Sequence, residues 1–418
     1  MAVERMDPAE EQAIVQAWFD KGMPLVGEQP TGGEAKPSQP AAPRPAFVDE
    51  QVWIQAILAD LKSLSAADQK QARYFTMGHL YNAGVGEAGL VMQRRGLTKL
   101  LNSLSWNPRL AELTLLGPGK AIARVSLRDL DWDDAKWERI LAVQNNYFVR
   151  QGLDEEKEIA RLTGTRMAYV RSDWFVFQAA QPPLYHDLLA PRTAPQALET
   201  DLALEQYLGV DVAANIANFQ VARAGFEGGK TPGGSGVSDN NRMLERHAIT
   251  KWDGAYWKSY DFGANADEKS IFERPFGPKT LPHWTEAIRQ RSFVQDGGEI
   301  IWNLPNGMQG YLLVDAAGKR IDEGPQKIVR DRAESGGLGT AIVNGISCMA
   351  CHAQGMKRQT DRVRARIEQL TPTTFTRGER QMAQKLFPEA AAWTALLDRD
   401  EARYADAAKR LGVYGLDA

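Results

Sequence analysis

The spacing of apolar residues predicts that residues 48–199 form a mainly helical domain. Apolar side chains recur there every three or four positions, which places them on one face of a helix. In one short segment they alternate with polar residues instead, as in a strand. The expected elements are a helix through Val52–Leu61, helices over Asp68–Tyr81 and Glu87–Leu104, a strand over Ala121–Leu127, and a helix that begins at Leu130–Asp134.

Glycine becomes frequent in residues 200–335, and the pattern there predicts an antiparallel hairpin. Two apolar runs, Glu299–Leu304 and Tyr311–Asp315, flank a turn at Pro305-Asn306-Gly307. The last segment, residues 336–418, returns to helical spacing. Its expected helices cover Thr360–Leu370, Thr376–Phe387 and Asp400–Leu411. These patterns predict an α+β fold that is mainly α, with small antiparallel β elements.

Two segments precede these regions. Residues 27–47 are rich in proline, glycine, alanine and glutamine, a composition that packs no core and predicts a semi-extended linker. Residues 1–26 contain an amphipathic helix, because Asp7-Pro8 is a typical helix start. An apolar stripe that includes Ile14 and Trp18 follows at helical spacing, and Gly22-Met23-Pro24 ends the helix.

Composition narrows the class of protein. Of the 418 residues, 43% are hydrophobic and 25% are charged, as in ordinary soluble globular proteins. The net charge of −3 argues against a nucleic-acid-binding protein, which is usually strongly basic. No apolar run approaches the length of a transmembrane helix.

The chain has two cysteines, and they form the motif Cys348-Met349-Ala350-Cys351-His352. This is the attachment pattern of a c-type haem. Each thiol can add to one haem vinyl group, and the two intervening residues set the sulfurs at the separation of the vinyls. The adjacent His352 then supplies the proximal iron ligand. The sequence therefore predicts one covalent haem c in a cytochrome c-like site embedded in a larger helical domain.

Three other uses of these residues compete with haem attachment. A thioredoxin-like redox pair expects a βαβ context, which the surrounding sequence lacks. A structural zinc site needs four ligands, so a remote histidine would have to join the two thiolates and His352. A disulfide between Cys348 and Cys351 closes almost no loop and gains little from chain entropy. Haem attachment is the favoured interpretation.

The second axial ligand of the iron decides what such a haem does. Two strong ligands make a carrier of electrons, whereas an open position admits small ligands. His247 is the preferred candidate, because it follows a polar run that is not typical of core filling. His79 is second, and a buried structural role is the alternative for both. His186 and His283 are expected in loops.

Methionine is the other usual ligand. Met356 follows His352 by four residues, which keeps it on the same side of the ring. Met382 is the remaining candidate, although it lies in a predicted helix without the proline-bearing loop that normally presents a methionine to haem. A basic run after the motif, which includes Lys357 and Arg358, suits haem propionates or an acidic redox partner, and a solvated helix face is the alternative.

Several segments resemble a family of large exported bacterial cytochrome c proteins. They are Arg73–Gly84, Lys99–Trp106, Gly236–Arg242 with Glu245-Arg246-His247, Asp296–Ile301 and Asn344–Ser347. They are distributed over residues 70–360. The resemblance implies a covalent haem and an extracytoplasmic location, without a known reaction. In the family a histidine often precedes the Asp-Gly-Gly-Glu block, where this chain has Gln295.

The helix of residues 1–26 resembles the last helix of a planctomycete-type cytochrome c domain. The resemblance covers about 20 residues and implies that a truncated cytochrome c-like domain precedes the linker. Haem is joined to cysteines outside the cytoplasm, yet residues 1–8 contain no apolar core of a signal peptide. We therefore expect a signal peptide upstream of Met1. The resemblance further implies a second haem site there, and a free amphipathic helix without such a domain is the alternative.

These expectations together describe a periplasmic c-type cytochrome. It would transfer electrons to or from a redox partner protein or a small donor or acceptor, without nucleic acid and without a transmembrane segment in this chain. One alternative is a peroxidase-like haem enzyme with an open distal site near Arg246 or His247. Another is a haem-based redox sensor or interaction module.

Overall fold

Two β-sheets organise the part of the chain that the computed structural model describes. It describes residues 45–143, 152–190, 195–204, 221–229, 236–281, 285–334, 337–369 and 375–415. These residues belong to one compact unit that begins at Pro45. The predicted helix of residues 1–26 and most of the linker lie outside the described residues.

The first sheet lies within residues 66–171 and has the strand order β2-β3-β1-β4. Strand β1 is central, antiparallel to β3 and parallel to β4. The strands are β1 (Ala72–Thr76), β2 (Thr114–Leu116), β3 (Ile122–Ser126) and β4 (Tyr169–Arg171). The accompanying helices are α1 (Glu50–Ser63), α2 (Ala66–Gln71), α3 (Gly78–Asn82), α4 (Gly86–Ser103), α5 (Asp134–Ala142), α6 (Asp154–Thr163), α7 (Ser172–Ala179), α8 (Leu184–Leu189) and α9 (Pro195–Asp201).

The predicted helix over Asp68–Tyr81 is wrong in its centre, where β1 lies. Strand β1 is buried at every position, since β3 and β4 pair with its two edges and helices cover the sheet. The aromatic pair Tyr74-Phe75 suits such a strand, and pairing with distant strands overrides the local helical spacing. The predicted helices around Val52–Leu61 and Glu87–Leu104 and the strand at Ala121–Leu127 are confirmed as α1, α4 and β3.

The second sheet is an antiparallel meander in which each strand pairs with the next along the chain. Its strands are β5 (Ala222–Phe226), β6 (Arg242–Ile249), β7 (Gly254–Asp261), β8 (Gly297–Asn303), β9 (Gln309–Asp315) and β10 (Arg320–Ile321). The predicted hairpin is confirmed as β8 and β9, in which Gly297 pairs with Asp315 and Asn303 with Gln309. The sheet is larger than the hairpin that the sequence predicted, and the α+β class is confirmed.

The remaining helices pack around the second sheet. They are α10 (Glu286–Arg289), α11 (Ile346–Cys351), α12 (Val363–Gln369), α13 (Arg377–Leu386) and α14 (Ala390–Arg410). Helix α14 lies against β7, and its Asp400 forms a buried ion pair with Arg246 of the neighbouring strand β6, 2.8 Å from carboxylate oxygen to Nη2. One continuous apolar core joins the two sheets and α14, so the surroundings of α11 are built by all parts of the fold.

Candidate functional site

Helix α11 carries both cysteines of the motif and begins at Gly345. The backbone of Gly345 has φ 87° and ψ −80°, a conformation that side-chain-bearing residues rarely adopt. A Cβ at this position would lie 2.3 Å from the carbonyl oxygen of Ala180. The helix N-terminus is therefore packed directly against the first part of the chain. Glycine is needed here so that α11 can approach so closely.

The side chains of Cys348, Cys351 and His352 line one cavity that opens to solvent. One wall is a face of the second sheet, a second is formed by residues between Ile321 and Val329, and a third is the segment that follows His352. Cofactor pockets are mainly apolar. The lining here is mainly apolar as well, with the two thiols, the imidazole and a few charged side chains in it.

His352 points one ring nitrogen into this cavity while the backbone holds the other. Its Nδ1 is 3.1 Å from the carbonyl oxygen of Gly355. A carbonyl only accepts, so Nδ1 donates its hydrogen and Nε2 carries the lone pair. Burial lowers the pKa of His352, although Glu299 opposes that effect, which keeps the imidazole neutral. A neutral imidazole oriented by a backbone carbonyl is the typical arrangement of a histidine that binds a metal.

Gly355 makes this arrangement possible. Its φ of +98° turns the chain back toward His352, and a Cβ there would lie 3.1 Å from the Tyr404 ring. The ring of Tyr311 lies on another side of the imidazole, with centroids 6.1 Å apart. Contacts from α14 and β9 therefore fix the orientation of His352.

The two cysteines are thiols and are not joined by a disulfide. Cys348 is buried, and burial together with the nearby Glu299 carboxylate holds the pKa of its thiol well above the ordinary value. Redox-active Cys-x-x-Cys pairs depend instead on a cysteine whose pKa is lowered. The surroundings of Cys348 do not fit the thioredoxin-like interpretation.

Charged side chains from the sheet face the cavity as well. Arg242 on β6 is 2.6 Å from the carboxylate of Asp261 on β7, measured from Nε to Oδ1. It also donates from Nη2 to the hydroxyl of Ser259, 2.9 Å away, and lies 3.5 Å from Oε2 of Glu299 on β8. Burial opposes ionisation of Arg242, but the two carboxylates outweigh it and raise its pKa. The Glu299 Oε2 atom is 3.9 Å from Nε2 of His352.

Sequence reasoning did not single out Arg242, Asp261 or Glu299. Arg242 and Glu299 lie in segments that carry the family resemblance, but no role followed from it. The available signal was a charged residue inside an apolar strand at a position that alternates with core residues. That signal became interpretable only when the strand register placed the three side chains on one face.

The structure separates His247 from the cavity, which corrects the prediction that it is the second axial ligand. Leu244 on β6 lines the cavity, and side chains alternate along a strand, so His247 lies on the opposite face. There its Nε2 donates to Oε1 of Glu245, 2.9 Å away, and its ring contacts Tyr256. His247 therefore has the buried structural role that is the alternative to iron ligation, through its hydrogen bond to Glu245.

The other predicted ligands are not brought to the cavity either. His79 belongs to α3 and pairs with Asp173, 3.0 Å from Nε2 to the carboxylate. Met382 on α13 packs against a separate apolar cluster. His186 was expected in a loop, but it is buried in α8 near α11 and does not line the cavity. His283, also expected in a loop, lies outside the described residues. Met356 does line the cavity, in the segment directly after His352.

The basic run after the motif divides into two groups. Lys357 is exposed and lines the cavity. Arg358 pairs with Asp398 and Glu401 on the surface of α14. Arg364 pairs with Glu368 and with Glu389. The solvated-face interpretation thus describes Arg358, whereas Arg364 is largely buried and Lys357 lies where it can reach a molecule in the cavity.

Comparison with models of known protein families, with curated proteins and with solved structures finds no significant match to this chain. Within the described residues, no helix combines the length and the apolar character that a bilayer span requires. The same residues contain no group of three or more histidine, cysteine, aspartate or glutamate side chains arranged to hold a metal ion. The interpretation of the cavity therefore rests on its own geometry.

Proposed function

We propose that the cavity holds one haem c, joined to Cys348 and Cys351 and bound at its iron by His352. The observation that carries this proposal is the combination found at His352. The two thiols and the imidazole line one solvent-open, mainly apolar cavity, and Nε2 is available in it because Gly355 holds Nδ1. When bound, the haem would supply a one-electron couple at its iron.

We further propose that the protein is a periplasmic or otherwise extracytoplasmic electron carrier. The compartment follows from the chemistry of haem attachment, which takes place outside the cytoplasm. The second sheet and residues between Ile321 and Val329 line the cavity around His352, whereas the cavity stays open to solvent beside the exposed Lys357. An exposed cation at the mouth would attract an acidic partner protein or a small anionic donor or acceptor.

Expression in a host that exports and matures c-type cytochromes tests the cofactor. The wild-type chain should carry the mass of one haem, and its colour should survive acid–acetone extraction. Cys348→Ala and Cys351→Ala should each retain haem through a single thioether, and the double variant should lose covalent haem. His247→Gln serves as the control and should leave the attached haem unchanged. A bare polypeptide in the wild type would contradict the proposal.

A second candidate function is the binding or conversion of small ligands such as peroxide. The observation that favours it is that the described lining residues include no second histidine, and their one methionine, Met356, lies only four residues after His352. Arg246 and His247, the residues first expected there, lie in buried pairs with Asp400 and Glu245. Arg242 and Glu299 face the cavity in their place.

Ligand binding separates the two functions. Rapid carbon monoxide binding by the reduced protein, with peroxide turnover that Arg242→Met abolishes, would favour the enzyme. Slow or absent binding of carbon monoxide, with electron exchange intact, would favour the carrier.

A further inference from the structure

The carboxylate of Glu299 faces the available nitrogen of His352 inside the cavity. The distance from its Oε2 to Nε2 is 3.9 Å. Metal–ligand bonds to nitrogen and carboxylate oxygen are each about 2 Å long, so two ligands on opposite sides of one metal ion lie about 4 Å apart. The spacing of these two atoms is therefore that of an axial pair.

Glu299 is held in this position from two neighbouring strands. Its backbone N–H donates to the hydroxyl of Ser259, 2.8 Å away, and Arg242 lies 3.5 Å from its Oε2. Gly298 lets β8 approach β7 closely, because a Cβ there would lie 2.1 Å from the Ser259 carbonyl oxygen. The closer partner of Arg242 is the carboxylate of Asp261. Arg242 can therefore orient Glu299 through the longer contact while its charge is paired mainly with Asp261.

The usual second ligands do not compete for this position among the described residues. His79 and His247 lie away from the cavity, and Met382 packs in another cluster. Met356 lines the cavity, but it follows His352 by only four residues, which keeps it on the same side of the haem ring as His352.

We propose that Glu299 is the second axial ligand of the ferric haem and that Arg242 is its positioning residue. This inference rests on the proposed haem site. An anionic oxygen ligand stabilises ferric over ferrous iron, which sets a low reduction potential. It also holds the sixth position against other ligands.

The test uses full-length haem-loaded protein and compares Glu299→Gln with Glu323→Gln. Glu323 is an exposed carboxylate between the lining residues Ile321 and Gly324. It does not line the cavity itself, so it is a matched control. Glu299→Gln should change the near-infrared charge-transfer band of the ferric protein and raise its reduction potential. It should also bind added imidazole about tenfold more tightly or better, because the competing carboxylate is gone. Glu323→Gln should match the wild type.

Two further measurements keep the inference testable if Glu299→Gln folds poorly. The wild-type ferric spectrum should show oxygen ligation by itself, and a nitrogen or sulfur second ligand there would overturn the inference. Added formate should restore the wild-type spectrum in Glu299→Ala. If Glu299→Gln and Glu299→Ala both carry attached haem and both keep the wild-type spectrum, the role of Glu299 is overturned while the haem site stands. A wild-type chain without attached haem would overturn the haem site and this inference together.

Discussion

His186 makes the stability of this protein depend on pH through its surroundings next to the motif helix. The side chain is 5% exposed, and its Nε2 accepts a hydrogen bond from the side-chain amide of Asn344, 3.2 Å away. Asn344 immediately precedes Gly345, where α11 begins. Burial and then Arg320 lower the pKa of His186 from 6.5 to about 4, although Asp322, 3.4 Å from Nε2, opposes them.

The direction in which the unfolding free energy changes with pH follows from the protonation of His186 in the unfolded and folded chain. In the unfolded chain His186 takes up a proton below about pH 6.5, whereas the folded protein keeps it neutral down to about pH 4. Stability contributed by the neutral form is thus present above pH 6.5 and is lost as the pH falls toward 4. The full shift is worth about 3 kcal/mol, and about 2 kcal/mol of it is lost between pH 7 and pH 5.

Urea unfolding of the full chain, followed by circular dichroism at pH 7 and pH 5, measures this loss. In His186→Gln, which keeps an acceptor for Asn344, the decrease in unfolding free energy over that interval should be smaller by about 2 kcal/mol. Measurement of both proteins at pH 8 gives the cost of the substitution when histidine is neutral in either state. Equal decreases from pH 7 to pH 5 in the two proteins would refute the assignment.

Two further changes test the framework of the site. Gly345→Ala should lower the unfolding free energy by about 2 kcal/mol or more and reduce the yield of attached haem, because φ is positive and a Cβ would meet the Ala180 carbonyl. A normal yield and stability would show that the α11 start is not under this constraint. Asp400→Ala should destabilise by about 3–5 kcal/mol, since it takes the carboxylate from the buried Arg246. Asp398→Ala, in an exposed pair, should change the urea midpoint little; equal effects of the two would contradict the argument.

Local patterns predicted much of the fold where one structural preference dominates. The hairpin β8–β9 has two apolar runs around Pro305-Asn306-Gly307, so the pairing partner follows from the turn between them. Helices α1 and α4 have a single apolar face over enough turns to be recognised. Strand β1 was missed because its identity depends on β3 and β4, which lie far away in the sequence.

The chemistry of the candidate site divides in the same way. Cys348, Cys351 and His352 are adjacent in the chain, so spacing alone predicts a shared ligand. The residue opposite His352 comes from a strand about fifty positions earlier, and neither spacing nor residue type singles it out. His247 showed the limit of that reasoning, because a shift of one position along a strand moves a side chain to the other face of the sheet.

The amino-acid sequence by itself therefore determined the class of fold, the hairpin and the three residues of the haem motif. Tertiary structure decided that these three residues share a cavity with Glu299 and Arg242, and that His79 and His247 are excluded from it. The physical reason is that a motif depends on contacts between neighbours in the chain. The opposite wall depends on the register of paired strands, which is set only when the whole sheet packs.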